Sequence, residues 1–316
     1  MRVLFWGTPE FATPPLRALL GEGFEVAGVV TQPDRPVGRS RSTLEPSAVK
    51  KVALAESLTV LQPERPRGPE FEAQLRALAP DLSVVVAYGH ILPKSVIDLP
   101  KLGTLNIHAS LLPLLRGAAP IQGAILEGLS ETGVSIMQMV PQLDAGPVIH
   151  RVATPIADDE TYGELSLRLS ELGALALIEA LALVSMGRAD AQPQDDRLAT
   201  YAPKIEREMT RIDWTRTAEE VGRVVRAYDP RPGAFTTLRG TEVKLFGARL
   251  APGMRDAEPG EVLGIDHVGM TVACGAGALR ILAVQPAGKK RLTPEDWMRG
   301  RGIAAGDRLG ETATAR

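Results

Sequence analysis

The strongest constraint on this chain is an alternation. Through its first half, short apolar runs that read as strands take turns with helical patterns. Arg2–Gly7 is β-branched and aromatic, it stops at Gly7-Thr8-Pro9, and a helical stretch follows to Leu20. Glu25–Gln32 and, more weakly, Thr59–Gln62 are further strand candidates. Leu82–Gly89 (LSVVVAYG) is nearly all apolar, the pattern of a strand covered on both faces. Gly103–Ser110, Gly133–Val140 and Pro147–Ile156 follow, with a helix predicted over 118–127. This order predicts an α/β domain with a mostly parallel sheet.

The second half reads differently. A long helix is predicted over 159–187, ending at Gly187-Arg188. Residues 189–205 then lose periodicity and carry Pro193 and Pro203, as an interdomain linker does. Beyond them a short helix over 218–227 precedes several short strands punctuated by Gly, Pro and Asp, which predicts a small antiparallel barrel. Thr293-Pro294-Glu295-Asp296 predicts the start of a last short helix. Leu309–Arg316 shows no pattern and is expected to fray. The expected division is therefore 1–188, a linker at 189–205, and 206–316. A length of 316 residues suits two domains.

Composition removes several function classes. The formal net charge of −2 excludes a wholly basic nucleic-acid binder but leaves room for a local basic face. A single cysteine, Cys274, excludes a disulfide framework and a Cys-based zinc site. The histidines His90, His108, His150 and His267 show no HxxxH spacing, so no metal is expected. No apolar run is long enough to span a bilayer and no signal-peptide pattern is visible, so a cytoplasmic protein with no membrane partner is expected.

The residues suited to chemistry cluster at Asn106-Ile107-His108-Ala109-Ser110-Leu111-Leu112-Pro113-Leu114-Leu115-Arg116-Gly117. This block sits at the C-terminal end of a predicted parallel strand, the edge at which open α/β sheets bind ligands. Asn106 and His108 are two apart, so on a strand they share a face. An amide donor and an imidazole can together polarise a carbonyl and stabilise charge developing on its oxygen. A strand end whose polar residues simply meet water has the same spacing, and both readings stand at this level. Asp144 lies in the turn Pro141-Gln142-Leu143-Asp144-Ala145-Gly146. Turn chemistry alone accounts for such an Asp. Neighbouring strands of one sheet are nevertheless expected to deliver it to the edge that holds His108. A carboxylate there favours an imidazolium and fixes the ring. The three groups suit acyl transfer to an amine, with the nucleophile supplied by the substrate.

Gly7-Thr8-Pro9-Glu10 lacks the second glycine of a dinucleotide-binding turn, which excludes an NAD-linked reading there. Tyr88-Gly89-His90-Ile91-Leu92-Pro93 closes the apolar strand and is expected to form a wall of the same pocket. The loop Thr31–Ser47 is locally basic through Arg35, Arg39 and Arg41. It reads either as a solvated loop or as a flexible arm that grips phosphates. Basic residues in the second half, among them Lys204, Arg207, Arg211 and Lys289-Lys290-Arg291, fit an OB-like nucleic-acid module or a plain solvated surface.

With these residues assembled, the chain resembles the formyl-tetrahydrofolate-dependent transferases from end to end. The Asn-x-His…SLLP…RG block with a downstream LDAG carries the superfamily resemblance. TQPDRPVGR, GAAPIQ and YAPKI resemble its tRNA-formylating branch. The resemblance implies a Rossmann-like catalytic domain and an OB-like tRNA-binding domain. It implies formyl transfer from 10-formyltetrahydrofolate to the α-amine of methionyl initiator tRNA, for translation initiation. Asn106, His108 and Asp144 match the catalytic trio. Ser110, Leu111, Leu112 and Pro113 match the folate-contact segment, with Tyr88, Gly89, His90, Ile91 and Leu92 as the adjoining wall. Arg35, Arg39 and Arg41 match the arm that enters the acceptor stem. Relatives often carry Arg-Trp where this chain has Leu114-Leu115, and Leu in place of His90. A monomer is expected. The rival readings are a relative acting on an amino sugar or purine precursor, a formyltetrahydrofolate hydrolase, and a non-catalytic RNA-binding protein.

Overall fold

Residues buried on both faces set the first sheet. The computed structural model describes residues 1–37, 43–252 and 257–311. Along the chain, β1 (Arg2–Gly7) leads through a 3-10 turn to α1 (Thr13–Gly21), followed by β2 (Glu25–Val30), β3 (Arg35–Val37) and β4 (Thr43–Glu45). Next come α2 (Ala48–Ala55), β5 (Val60–Leu61), α3 (Pro69–Ala77), β6 (Leu82–Val86) and α4 (Lys94–Ile97). The site region holds β7 (Thr104–His108), β8 (Arg116–Gly117), α5 (Pro120–Glu127), β9 (Glu131–Gln138) and β10 (Val148–Pro155). The long α6 (Tyr162–Ser185), β11 (Tyr201–Ala202) and α7 (Ala218–Ala227) follow. Last are β12 (Ala234–Leu238), β13 (Thr241–Ala251), β14 (Val262–Ile265), β15 (Met270–Ala273), β16 (Ala278–Pro286) and α8 (Pro294–Arg299). Two compact units result: residues 1–120, 131–155 and 166–202, and residues 121–130, 156–165 and 203 onward.

In the first unit a seven-stranded sheet has the order β10-β9-β7-β6-β1-β2-β5. The five strands β7, β6, β1, β2 and β5 run parallel, as the alternation predicts. All five residues of β6 are buried, which explains its unbroken apolar sequence. Under one face, Leu4, Trp6, Val85 and Tyr88 pack against Phe71 and Leu75 of α3. Trp6 meets Phe71 and Tyr88 edge-on, with ring centroids 6.0 and 5.3 Å apart. Its indole N–H is not left bare in that core, because it donates to Ser83 Oγ at 3.2 Å.

Two expectations for this unit are corrected. The stretch 31–47 is not simply a long loop. Arg35–Val37 and Thr43–Glu45 pair as an antiparallel ribbon, and Ser47 caps α2 by accepting from the Lys50 N–H at 3.0 Å. Strands this short, one containing Pro36, carry no readable period. The other correction concerns β9, which runs antiparallel to β7 and places Gln138 opposite Leu105. Strand order alone therefore carries the chain after β9 away from His108.

In the second unit an antiparallel sheet has the order β12-β13-β16-β15-β14. Helix α7 opens on a reciprocal cap between Thr217 and Glu220 and buries Val221 and Val225. Thr293 caps α8 by accepting from the Asp296 N–H, as the sequence predicts. Cys274 is buried here, and burial pushes its thiol up to about 11. The expected fraying from Leu309 onward is overturned for the described residues. Leu309 is 2% exposed. Gly310 N–H donates to the Thr237 carbonyl of β12, while Leu309 N–H donates to Gly260 and Val262 N–H of β14 donates to Asp307, all at 2.8 or 2.9 Å. This terminal segment thus joins the two edge strands and closes the sheet into a small barrel. One apolar residue in a polar tail has no period to reveal it. Leu309→Ala should cost about 2–5 kcal/mol of stability, seen as a lower denaturant midpoint, whereas a frayed tail would leave the midpoint unchanged.

Candidate active site

β7 alternates cleanly. Leu105 and Ile107 are buried at 1% and 3% exposure, and Asn106 and His108 take the other face. The Asn106 amide is half-buried and has no hydrogen-bond partner among the described residues. His108 is buried, and its Nε2 lies 2.9 Å from the Leu115 carbonyl oxygen. A carbonyl oxygen can only accept, so Nε2 carries a hydrogen and Nδ1 is the nitrogen left for chemistry. Nδ1 faces Asp144 Oδ2 at 3.8 Å.

Asp144 arrives by a route the strand order does not provide. Residues 139–147 form the connection from β9 to β10, and Gln138 N–H donates to the Pro147 carbonyl across its base at 2.9 Å. Asp144 sits in this loop at φ +48°, a left-handed conformation that Asp tolerates better than most residues. Its Oδ2 accepts from the Gly117 N–H at 2.8 Å. A side chain on Gly146 would collide with the Gln138 carbonyl oxygen, so the loop closes only with glycine there. Gly117 is equally constrained: it has φ +115°, and an added Cβ would lie 2.6 Å from the Ala202 carbonyl oxygen.

The turn after β7 is held by its own polar groups. Ser110 Oγ donates to the Leu114 carbonyl at 2.6 Å. Ser135 Oγ donates to the Ser110 carbonyl at 2.7 Å and accepts from the Leu112 N–H at 3.0 Å. Arg151 Nε donates to the Leu112 carbonyl at 3.0 Å, beside the cis Leu112–Pro113 bond. Leu112 is buried, while Leu111 and Pro113 are part-exposed.

The expected wall divides. Tyr88 and Leu92 are core residues, whereas Gly89, His90 and Ile91 are exposed. The Tyr88 hydroxyl is buried without a partner among the described residues, and burial pushes it up to about 12. Its carbonyl accepts from Thr8 Oγ1 at 3.0 Å and from Gln32 Nε2 at 2.9 Å, which fixes the loop entering Gly89. His90 stands beside the Tyr88 ring, with centroids 5.6 Å apart. Arg35 is exposed and bonds to Gln32 at the base of the β3–β4 ribbon. Arg39 and Arg41 lie outside the described residues.

Sequence reading placed Arg116 in the motif without a role and missed its partners. Arg116 is buried at 3% exposure, and its guanidinium meets Gln194 Oε1 and Asp196 Oδ1. Gln194 Nε2 in turn bonds to the carbonyls of Asp144 and Gly146. Thr200 Oγ1 accepts from the Leu115 N–H at 2.9 Å. Gln194 and Thr200 lie in the aperiodic stretch after α6, where no pattern marks them. A cavity of about 580 Å³ in the second unit is lined by Arg223, Arg226, Asp158 and Asp159 among others, and contains none of these groups.

Residues 1–181 match the formyl transferase family, and residues 204–302 match the formyl transferase C-terminal domain. The methionyl-tRNA formyltransferase of Thiobacillus denitrificans is 50% identical over 98% of this chain and 100% of its own length. That of Methylococcus capsulatus is 49% identical with the same coverage. Among solved structures, HypX from Aquifex aeolicus in complex with tetrahydrofolic acid superposes with a TM-score of 0.68 at 23% identity. The match covers 94% of this chain and 47% of HypX, so the chain spans about half of that protein, and the likeness is one of fold.

Because Gly117 needs both its φ and its missing side chain, Gly117→Ala should cost at least about 1–3 kcal/mol. Thermal unfolding of the variant measures it.

Proposed function

We propose, for a chain that belongs to the formyl transferase family, that Asn106, His108 and Asp144 are the groups that carry formyl transfer. The enzyme transfers a formyl group to the amine of methionyl-tRNA, giving the formylated initiator. Its family uses folate, and we take the donor to be 10-formyltetrahydrofolate. The observation that carries the assignment is the approach of His108 Nδ1 to Asp144 Oδ2 at 3.8 Å, beside an Asn106 amide that has no hydrogen-bond partner among the described residues.

The donor supplies an activated carbonyl carbon. The neutral α-amine attacks it, and negative charge develops on the formyl oxygen. Asn106, whose N–H groups have no partner among the described residues, shares a face with His108 and donates to that oxygen. His108 is fixed through Nε2 by Leu115, so it is the Nδ1–H of the protonated ring that stabilises the charge or passes its proton to the leaving nitrogen. Asp144 is held by the Gly117 N–H, and its carboxylate accepts the proton that the attacking amine releases, directly or through a water. Ser110, Leu111, Leu112 and Pro113 are assigned as the folate-contact turn, with Tyr88, Gly89, His90, Ile91 and Leu92 as the adjoining wall. Exposed Leu114 and Leu143 add apolar surface suited to a flat ring. Residues 1–188 supply the reaction and 206–316 bind tRNA, while 189–205 connect them and also carry Gln194 and Thr200, which bond to the loop and turn of the site. The arm bearing Arg35, Arg39 and Arg41 holds the acceptor stem by phosphate contacts.

One assay tests the reading: purified protein, labelled 10-formyltetrahydrofolate and charged initiator tRNA, scored for formyl-methionine. Release of free formate, transfer to a sugar nucleotide, or binding without transfer would each reject it. Removing a positioned oxyanion donor costs about a hundredfold or more in turnover, so Asn106→Ala and His108→Ala should fall by that much with near-normal tRNA binding. The doubly substituted Arg39→Ala, Arg41→Ala enzyme should bind tRNA more weakly, with a flatter salt dependence and unchanged folate affinity.

A further inference from the structure

Asp144 lies in a loop that leaves β9 on the side away from His108, and a lone hydrogen bond from Gly117 does not fix such a loop's backbone. Gln194 does. Its Nε2 donates to the Asp144 carbonyl at 2.8 Å and to the Gly146 carbonyl at 2.7 Å. Its Oε1 accepts from Arg116 Nε at 3.1 Å and Nη2 at 2.8 Å. Arg116 is itself buried, and Nη2 also reaches Asp196 at 2.7 Å. The chemistry allows one orientation of the amide, since a guanidinium only donates and a carbonyl oxygen only accepts. A glutamate of the same shape would still accept from Arg116 but would set a carboxylate against two carbonyl oxygens.

The same stretch of chain serves the imidazole. Thr200 Oγ1 accepts from the Leu115 N–H at 2.9 Å, and the Thr200 carbonyl accepts from the Arg116 N–H at 2.8 Å. The Leu115 carbonyl then takes the His108 Nε2 hydrogen. Both reacting groups are thus braced from residues 194–200.

We propose that Gln194 is a positioning residue for formyl transfer: anchored by Arg116, it aims the Asp144 carboxylate by holding the backbone on both sides of it. This rests on the assignment of Asp144 above. Gln194 touches no reacting atom, so its whole effect passes through Asp144.

The test is a kinetic cycle on the full chain, using initiator methionyl-tRNA and 10-formyltetrahydrofolate. It compares the wild type with Gln194→Glu, Gln194→Ala, Asp144→Asn and the two double variants, with a thermal midpoint for each. Displacing a reacting group by about 1 Å costs up to about a hundredfold, so each Gln194 variant should lose about tenfold or more in kcat. The KM for both substrates should stay within about twofold. In the Asp144→Asn background the same changes should have no further effect, because residues acting as one unit are not additive. Wild-type kcat in Gln194→Glu, or an equal loss in both backgrounds, overturns the inference. A normal kcat in Asp144→Asn instead removes the assignment of Asp144 itself. If Gln194→Ala does not fold, the isosteric Gln194→Glu decides the question alone.

Discussion

A single hydrogen bond, from the Gly117 N–H to the Asp144 carboxylate, joins the turn after β7 to the loop after β9. An anionic acceptor makes this bond stronger than a neutral one. With Gln194 holding the backbone on both sides of Asp144, it keeps the carboxylate at the imidazole although the two strands run in opposite directions. Its geometry leaves only glycine at position 117, because the backbone there has positive φ and lies against the Ala202 carbonyl. The constraint therefore reaches into the two-residue pairing of β8 with β11, which sets that carbonyl in place. Without the pairing, Asp144 would be an ordinary turn residue.

Much of this was legible in the sequence. The period of two in Thr104–His108 placed Asn106 and His108 on one face, and the burial of Leu105 and Ile107 accounts for it. The unbroken run at Leu82–Val86 gave a central strand, and the caps at Thr217 and Thr293 opened helices where predicted. Strand direction was not legible, because the alternation in β9 is the same read either way. The route of Asp144 was hidden for that reason, although the proximity itself was expected. Gln194 and Thr200 were hidden for another: their roles depend on which carbonyl or N–H lies opposite, and an aperiodic stretch gives no hint of it. The β3–β4 ribbon is too short for a period, and Leu309 is a lone apolar residue.

The two units use different means to satisfy their edges. The first sheet ends in β5, only two residues long, and on its other side in β10. The second has no such taper. It relies on a segment distant in sequence, 306–310, to pair with both β12 and β14. Cys274 and Trp297 lie in the core thus enclosed.

This difference has a consequence for how the molecule is made. A nascent chain appears N-terminus first, and domains tend to fold as they emerge. Every strand of the first unit precedes residue 203, so its sheet can be complete while the rest is still being synthesised. The barrel has to wait for residues 306–310. Until they arrive, β12 and β14 present open backbone to any passing chain, so the newly made protein is most exposed to mispairing between the emergence of β14 and that of residues 306–310.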